Sequence, residues 1–500
     1  MTIAHNHQFP SGNFFKKILF VLCALWLLTV LLGCSSQYAA ERLYWQAGRE
    51  AQKIIQNKGL DKLTKQEYQE IIDAYRKVPD KFPLQRLAAE SHFIIARLYA
   101  LQAQIEEAHK ELVTVTQNFS RIPSIASRAQ FMIGNLYNLR GDWARAVSEY
   151  EKVTDLYPLS RLGLSTPIYI AQQYQRRKDE SLAEKSYDRA IRNYEKIISE
   201  YSGTSVVPRI MEYLALAYLN QGKWEEAIKV WEKISNEYSQ SPEAAKSLLS
   251  SGEIYAKQIR DLEKAIKAYE EFVEQYPQSK VINQVKFQIG KLYLDKGDTE
   301  KAKETFVNII KEYPKEKELC ANTMYLLAIC YEKEGDSAKT VGQLRQLRQD
   351  YPNTKLALAV PLFLALHYQQ SQAGQEKIEE AFQEAISEYR KVFEEEANKD
   401  IAIEAGRLIS VCYVQQQRWN EAISVLNTLI ERYPDTPEAQ VYLFNIANIY
   451  QKELAQPEMA MEVYRKLIDS YPNSQLVGLA RAQLDSLSKE QKVTEDLGTE

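Results

Sequence analysis

From residue 41 to residue 489, apolar positions recur at three- and four-residue intervals, and short polar breaks interrupt them at regular distances. In Ala129-Gln130-Phe131-Met132-Ile133-Gly134-Asn135-Leu136-Tyr137 the apolar side chains fall on one helical stripe. Arg140-Gly141-Asp142 breaks the run, Trp143 to Leu156 carries a second stripe, and Pro158 closes the unit. This pattern of two amphipathic helices returns along the chain. Tyr99, Tyr137, Tyr174, Tyr218, Tyr255, Tyr293, Tyr331, Tyr368, Tyr413 and Tyr450 mark the first helix of ten successive units. Tyr-Pro at 157, 276, 313, 351, 433 and 471 marks unit ends, and Tyr201-Ser202 and Tyr238-Ser239 fill gaps in that series. The steps between unit ends from Tyr201 to Tyr351 are 37 or 38 residues. A lone helical hairpin cannot bury its apolar faces, so units of this kind stack on their neighbours.

Two units are stretched. Nine residues separate the first-helix Tyr from the second-helix Ala in a regular unit, against sixteen from Tyr174 to Ala190 and seventeen from Tyr368 to Ala385. Seven or eight extra residues make about two helical turns. One added turn on each helix is expected, giving hairpins that project from one rim. Residues 41–83 read as a degenerate helical pair, with Ile71, Tyr75, Val78 and Pro83 at second-helix spacing. Residues 473–489 read as a capping helix, with its apolar pattern from Leu476 to Leu487, and the polar, acidic stretch 490–500 as a disordered tail.

The N-terminus follows a different rule. Lys16-Lys17 precedes an uncharged stretch from Ile18 to Leu32, shorter than the ~20 residues of a membrane-spanning helix. Leu31-Leu32-Gly33-Cys34 then resembles the bacterial lipobox. That resemblance implies a signal peptide over 1–33, cleavage before Cys34, acylation of Cys34, and a lipidated linker over 34–40. Ser35 in place of Asp implies the outer membrane rather than retention at the inner one. Several acyl chains exceed the two signals a stable anchor needs.

Composition narrows the class further. Gly (18) and Pro (16) are scarce for 500 residues, which disfavours a turn-rich β protein or a flexible low-complexity chain. Net charge is −4, without the basic excess of a nucleic-acid binder. Cys320, Cys330 and Cys412 form an odd set past the anchor. Ten residues along one helix put Cys320 and Cys330 ~15 Å apart, beyond disulfide reach. Buried free thiols are expected. His92, His109 and His367 lack metal-ligand spacing, and no phosphate-cradling Gly-rich loop or nucleophile elbow is present in the sequence. No cofactor, metal or catalytic residue is assigned.

The repeat resembles the tetratricopeptide (TPR) repeat. Unit two shows Gly134, Tyr137, Ala146, Tyr150 and Pro158 at its signature places. Unit six shows Gly290, Tyr293, Ala302, Phe306 and Pro314, and unit nine keeps Tyr413, Ala422 and Pro434. Trp143, Trp224 and Trp419 stand three residues before the second-helix Ala. The resemblance covers residues 84–472 and implies an all-α, right-handed superhelical solenoid of about ten hairpins. Together with the lipobox and the longer period, it is similar to the TPR lipoproteins of outer-membrane protein assembly and the Tol-associated periplasmic TPR proteins.

That family implies a non-catalytic scaffold whose partners are envelope proteins or peptide segments, with acyl chains in the membrane and no nucleic acid or small-molecule substrate. An accessory of polysaccharide export is the alternative reading, and a solenoid of the lytic-transglycosylase type a weaker one. In TPR proteins the first helices line a peptide groove. The corresponding polar positions here are Arg97, Asn135, Asn138, Gln172 and Gln175, with Arg128 and Arg176 beside them. Phe93, Phe131, Phe287 and Tyr325 stand six residues before their Tyr anchors as an expected aromatic stripe.

Overall fold

The computed structural model describes residues 36–56 and 58–497. The expected signal peptide and Cys34 lie outside the described residues. Among those described every regular element is a helix. Two compact units divide between Arg260 and Asp261.

The first unit holds α1 (36–56), α2 (Lys65–Lys81), α3 (Arg86–Leu101), α4 (Ile105–Asn118), α5 (Pro123–Leu139) and α6 (Trp143–Leu156). It continues with α7 (Arg161–Arg176), α8 (Glu180–Glu200), α9 (Val207–Asn220), α10 (Trp224–Glu237) and α11 (Pro242–Ile254), which runs on into a π-helical turn, Tyr255–Ile259. The second unit holds α12 (Leu262–Gln275), α13 (Ile282–Lys296), α14 (Thr299–Glu312), α15 (Lys317–Lys333), α16 (Ser337–Asp350) and α17 (Lys355–Gln370). After these come α18 (Gln375–Glu395), α19 (Lys399–Gln415), α20 (Trp419–Arg432), α21 (Pro437–Asn448) with a π turn Ile449–Glu453, α22 (Pro457–Ser470) and α23 (Val477–Leu497).

Within each unit, consecutive helices pack on one another, and first helices also touch the next first helix: α5 with α7, α7 with α9, α13 with α15, α15 with α17. That second set of contacts makes the stack a solenoid rather than a row of separate hairpins. Side-chain caps start several of the helices. Asp142, Asp179, Asp261, Asp298 and Asp336 cap second helices by accepting the amide three residues on. The hairpin crossing is close. A Cβ on Gly134 would collide with the ring edge of Tyr150, and one on Gly290 with that of Phe306. Tyr150 and Phe306 are fully buried.

Several expectations change. Helix α1 begins at 36, so residues 36–40 are helical rather than linker. Helix α23 runs to Leu497, through most of the expected tail. The stretched hairpins do not gain a turn on each helix. First helices α7 and α17 have 16 residues, within the usual range, whereas α8 and α18 have 21 against 14 in regular second helices. Both extra turns stand at the N-terminal end of the second helix, where the apolar stripe continues in the buried Ala183 and Tyr187.

A higher period emerges from these elements. Tyr174 and Tyr368, Trp224 and Trp419, Pro242 and Pro437, and Tyr269 and Tyr464 are offset by 194 or 195 positions. Both stretched second helices, both π turns and the helix-interior prolines Pro167 and Pro361 obey the same offset; Pro79 inside α2, ahead of the repeats, has no such counterpart. Residues 84–472 follow one five-hairpin pattern twice. In each copy a tyrosine hydroxyl enters the ladder step next to the one the proline breaks. The Tyr194 hydroxyl donates to the Leu164 carbonyl in the first unit. In the second, the Tyr389 hydroxyl accepts from the Leu362 amide at 3.0 Å, an amide that otherwise pairs with Leu358, the counterpart of Leu164.

Candidate functional site

The groove residues fall into three groups. Arg97 on α3 and Arg176 at the end of α7 are exposed and reach no ion-pair or hydrogen-bond partner among the described residues. Arg128 is exposed but held: Nη1 lies 2.8 Å from Glu90, and the guanidinium sits 4.1 Å over the Phe93 ring. The third group is structural. Asn135 Oδ1 accepts from the buried Tyr150 hydroxyl at 2.7 Å, Gln175 accepts from Tyr187 at 2.9 Å, and Asn138 accepts from Arg177 at 2.8 Å. Gln172 Nε2 donates to Asn220 Oδ1 at 3.1 Å and ties α7 to α9. Asn135 and Gln175 satisfy buried phenols within their own hairpins, whereas Asn138 and Gln172 tie one hairpin to the next.

The aromatic stripe is corrected in the same way. Phe93 is 3% exposed and belongs to the core. Phe131 packs against Tyr150 and, at 5.2 Å, against Tyr169 of the next first helix. Phe287 packs on Phe306 at 6.2 Å, and Tyr325 on Phe363 at 4.6 Å. Burial pushes the Tyr325 hydroxyl above its usual range, and Glu332 adds to this. Phe131–Tyr169 and Tyr325–Phe363 are the same contact in the two copies. Phe131, Phe287 and Tyr325 are half-buried seam packing; Phe287 and Tyr325 stand in the second unit, and the other nine residues of the set in the first.

The remaining titratable groups serve packing. Cys320, Cys330 and Cys412 are buried free thiols, as expected. Burial pushes Cys330 up to about 11 and Cys412 up to about 12. His92 Nδ1 lies 2.6 Å from Glu111, which also takes Arg76 at 2.7 Å. Burial raises the Glu111 pKa, but the His92 and Arg76 hydrogen bonds outweigh it and leave the carboxyl below its usual range. His367 bridges Glu332 at 2.9 Å and Ser337 at 2.7 Å. Among the described residues no group of three or more His, Cys, Asp or Glu is placed to hold a metal ion, and no helix is long and apolar enough to cross a membrane.

One feature escaped the sequence. A cleft of about 270 Å³ opens between α6, α7 and α8. Val147, Pro167, Ile170 and Leu182 form its apolar walls, and Glu151, Asp155, Lys185 and Arg189 its mouth. The added turns of α8 supply one wall. The only signal in the sequence was Pro167 beside the stretched second helix, and neither reveals a cavity without the packing of α6.

Seams, caps and repeat contacts define a tetratricopeptide-repeat protein, and family models agree. TPR models match residues 128–160, 181–236 and 214–280. Residues 251–463 match the YfiO model, described as an outer membrane lipoprotein. The chain is therefore a TPR solenoid protein similar to that lipoprotein family. Among curated proteins none matches it significantly. Similar solved structures include yeast Tom70 (11% identity, 91% of this chain and 98% of that one, TM-score 0.38). Others are the human IFIT1 dimer with m7Gppp-AAAA (16%, 74% and 83%, 0.33) and a putative kinesin light chain from Podosopora anserina (17%, 37% and 94%, 0.30).

Proposed function

We propose that this protein is a lipid-anchored scaffold of the bacterial envelope that binds segments of other envelope proteins and catalyses no reaction. The match of residues 251–463 to an outer membrane lipoprotein family, within a chain of TPR hairpins, carries this reading. Cys34 supplies the anchor, and the outer membrane, facing the periplasm, is the proposed site. Outer-membrane assembly is the pathway the family favours.

In the first unit the groove offers two unpaired guanidinium groups, Arg97 and Arg176. Arginine presents a planar fork of donors, which suits a carboxylate or the carbonyls of an extended segment. Affinity capture from solubilised envelopes tests the reading. The wild type retains a defined set of envelope proteins, and Arg97→Glu with Arg176→Glu loses members of it. An unchanged set contradicts the groove assignment. Labelled palmitate tests the anchor separately: incorporation disappears in Cys34→Ala, and label that persists contradicts lipidation there.

A further inference from the structure

The two copies of the five-hairpin pattern share a cleft whose interior differs between them. The cleft between α6, α7 and α8 has a counterpart in the second unit between α16, α17 and α18, of about 150 Å³. Its floor is the same, with Pro361 for Pro167, Leu364 for Ile170 and Tyr368 for Tyr174. Its interior is not. Arg348 and Glu388 occupy the places of Thr154 and Asn193, and they pair across the opening at 2.7 and 3.3 Å. That pair closes the second cleft with its own charges.

In the first unit nothing closes it. Thr154 Oγ1 and Asn193 Nδ2 are buried and have no hydrogen-bond partner, although both line the cleft. A helical Thr ordinarily satisfies its hydroxyl on a carbonyl of the preceding turn. Leaving two buried polar atoms unpaired costs about 1–3 kcal/mol each. Beside them Leu182 is 40% exposed on the added turns of α8. The mouth carries the Glu151–Arg189 ion pair. Asp155 and Lys185 there are exposed, with no ion-pair partner, and of opposite sign.

We infer that this cleft of the first unit is a binding site for one apolar residue of a partner polypeptide, together with its peptide group. The chemistry selects that ligand. Asn193 Nδ2 requires an acceptor, which a peptide carbonyl supplies. Thr154 Oγ1 both accepts and donates, so it takes the adjacent peptide N–H. Val147, Ile170 and Leu182 surround the side chain, and Leu or Phe fits this lining. The balanced mouth gives no preference to a phosphate or a polycation. This site is lined mainly by second helices, goes beyond the first-helix groove, and stands or falls without it.

The test uses the purified full chain with labelled Ile, Leu and Val methyl groups and N-acetyl-leucinamide as the probe. Titration shifts the Ile170 and Leu182 methyls saturably, while Leu364 in the second cleft stays still. Thr154→Arg with Asn193→Glu installs the pair seen in the other copy, keeps the fold, and weakens binding about tenfold or more. Leu182→Lys, a change on an exposed position that leaves folding intact, weakens it as well. Shifts that never saturate, that are equal at Leu364, or that persist in both variants show a merely solvent-filled cleft and overturn the inference.

Discussion

Buried phenols organise this molecule residue by residue. Tyr150, Tyr187 and Tyr464 each place a fully buried or nearly buried ring at a hairpin seam and give the hydroxyl to an Asn or Gln side chain. The crossing beside such a ring admits no Cβ. Gly134→Ala therefore forces Tyr150 against Phe131, Trp143 and Tyr169. The strain of about 1–3 kcal/mol from overpacking exceeds the ~1 kcal/mol that Ala gains over Gly in a helix. A lower midpoint in denaturant, with an unchanged slope, is the expected result. The thiols make a second prediction. Burial disfavours the Cys330 and Cys412 thiolates, which ionise at about 11 and about 12. The folded chain leaves both unmodified by a thiol reagent at pH 8, and urea exposes them. The unfolded thiols ionise near pH 9, so stability falls as pH rises from there towards 11–12, measured by urea melts across that range.

Each hairpin, taken as an element, was legible because its signals are local. Helical periodicity, Asp caps, small residues at the crossing and the Tyr series all lie within one repeat. The destination of the extra turns was not local. Both went to the start of α8 and α18, since the apolar stripe continues there and each first helix ends at its usual length. Part of the expected groove set is taken up by packing for a related reason. Spacing from the Tyr anchor places Asn135 and Phe131 on a helix face, but whether a side chain faces solvent depends on the neighbouring hairpin. Tyr150 and Tyr169 claimed these two. Arg97 and Arg176 escaped because no neighbour reaches them. Excising residues 180–186 in phase shortens α8 by two turns and leaves its packing on α7 and α9. Circular dichroism should lose only the helicity of the excised residues, and a larger loss contradicts the view that these turns wall the cleft without supporting the fold.

At the level of the whole chain, the duplicated five-hairpin pattern explains why unusual features come in pairs. The two stretched helices, the interior prolines Pro167 and Pro361 and the two π turns recur 194–195 residues apart, while the clefts beside these prolines differ in charge. A sequence read repeat by repeat sees ten similar hairpins and misses this longer period. Two copies of one solenoid pattern, behind a proposed lipid anchor, provide long surfaces of side chains suited to holding other polypeptides at a membrane. The most direct test of that role is site-specific photocrosslinking in intact cells. A photoreactive residue at position 97 or 176 should yield discrete protein adducts that co-fractionate with the outer membrane, while one at the exposed Lys196 should yield none. Absence of adducts at 97 and 176, or the same adducts at all three positions, would contradict the scaffold account.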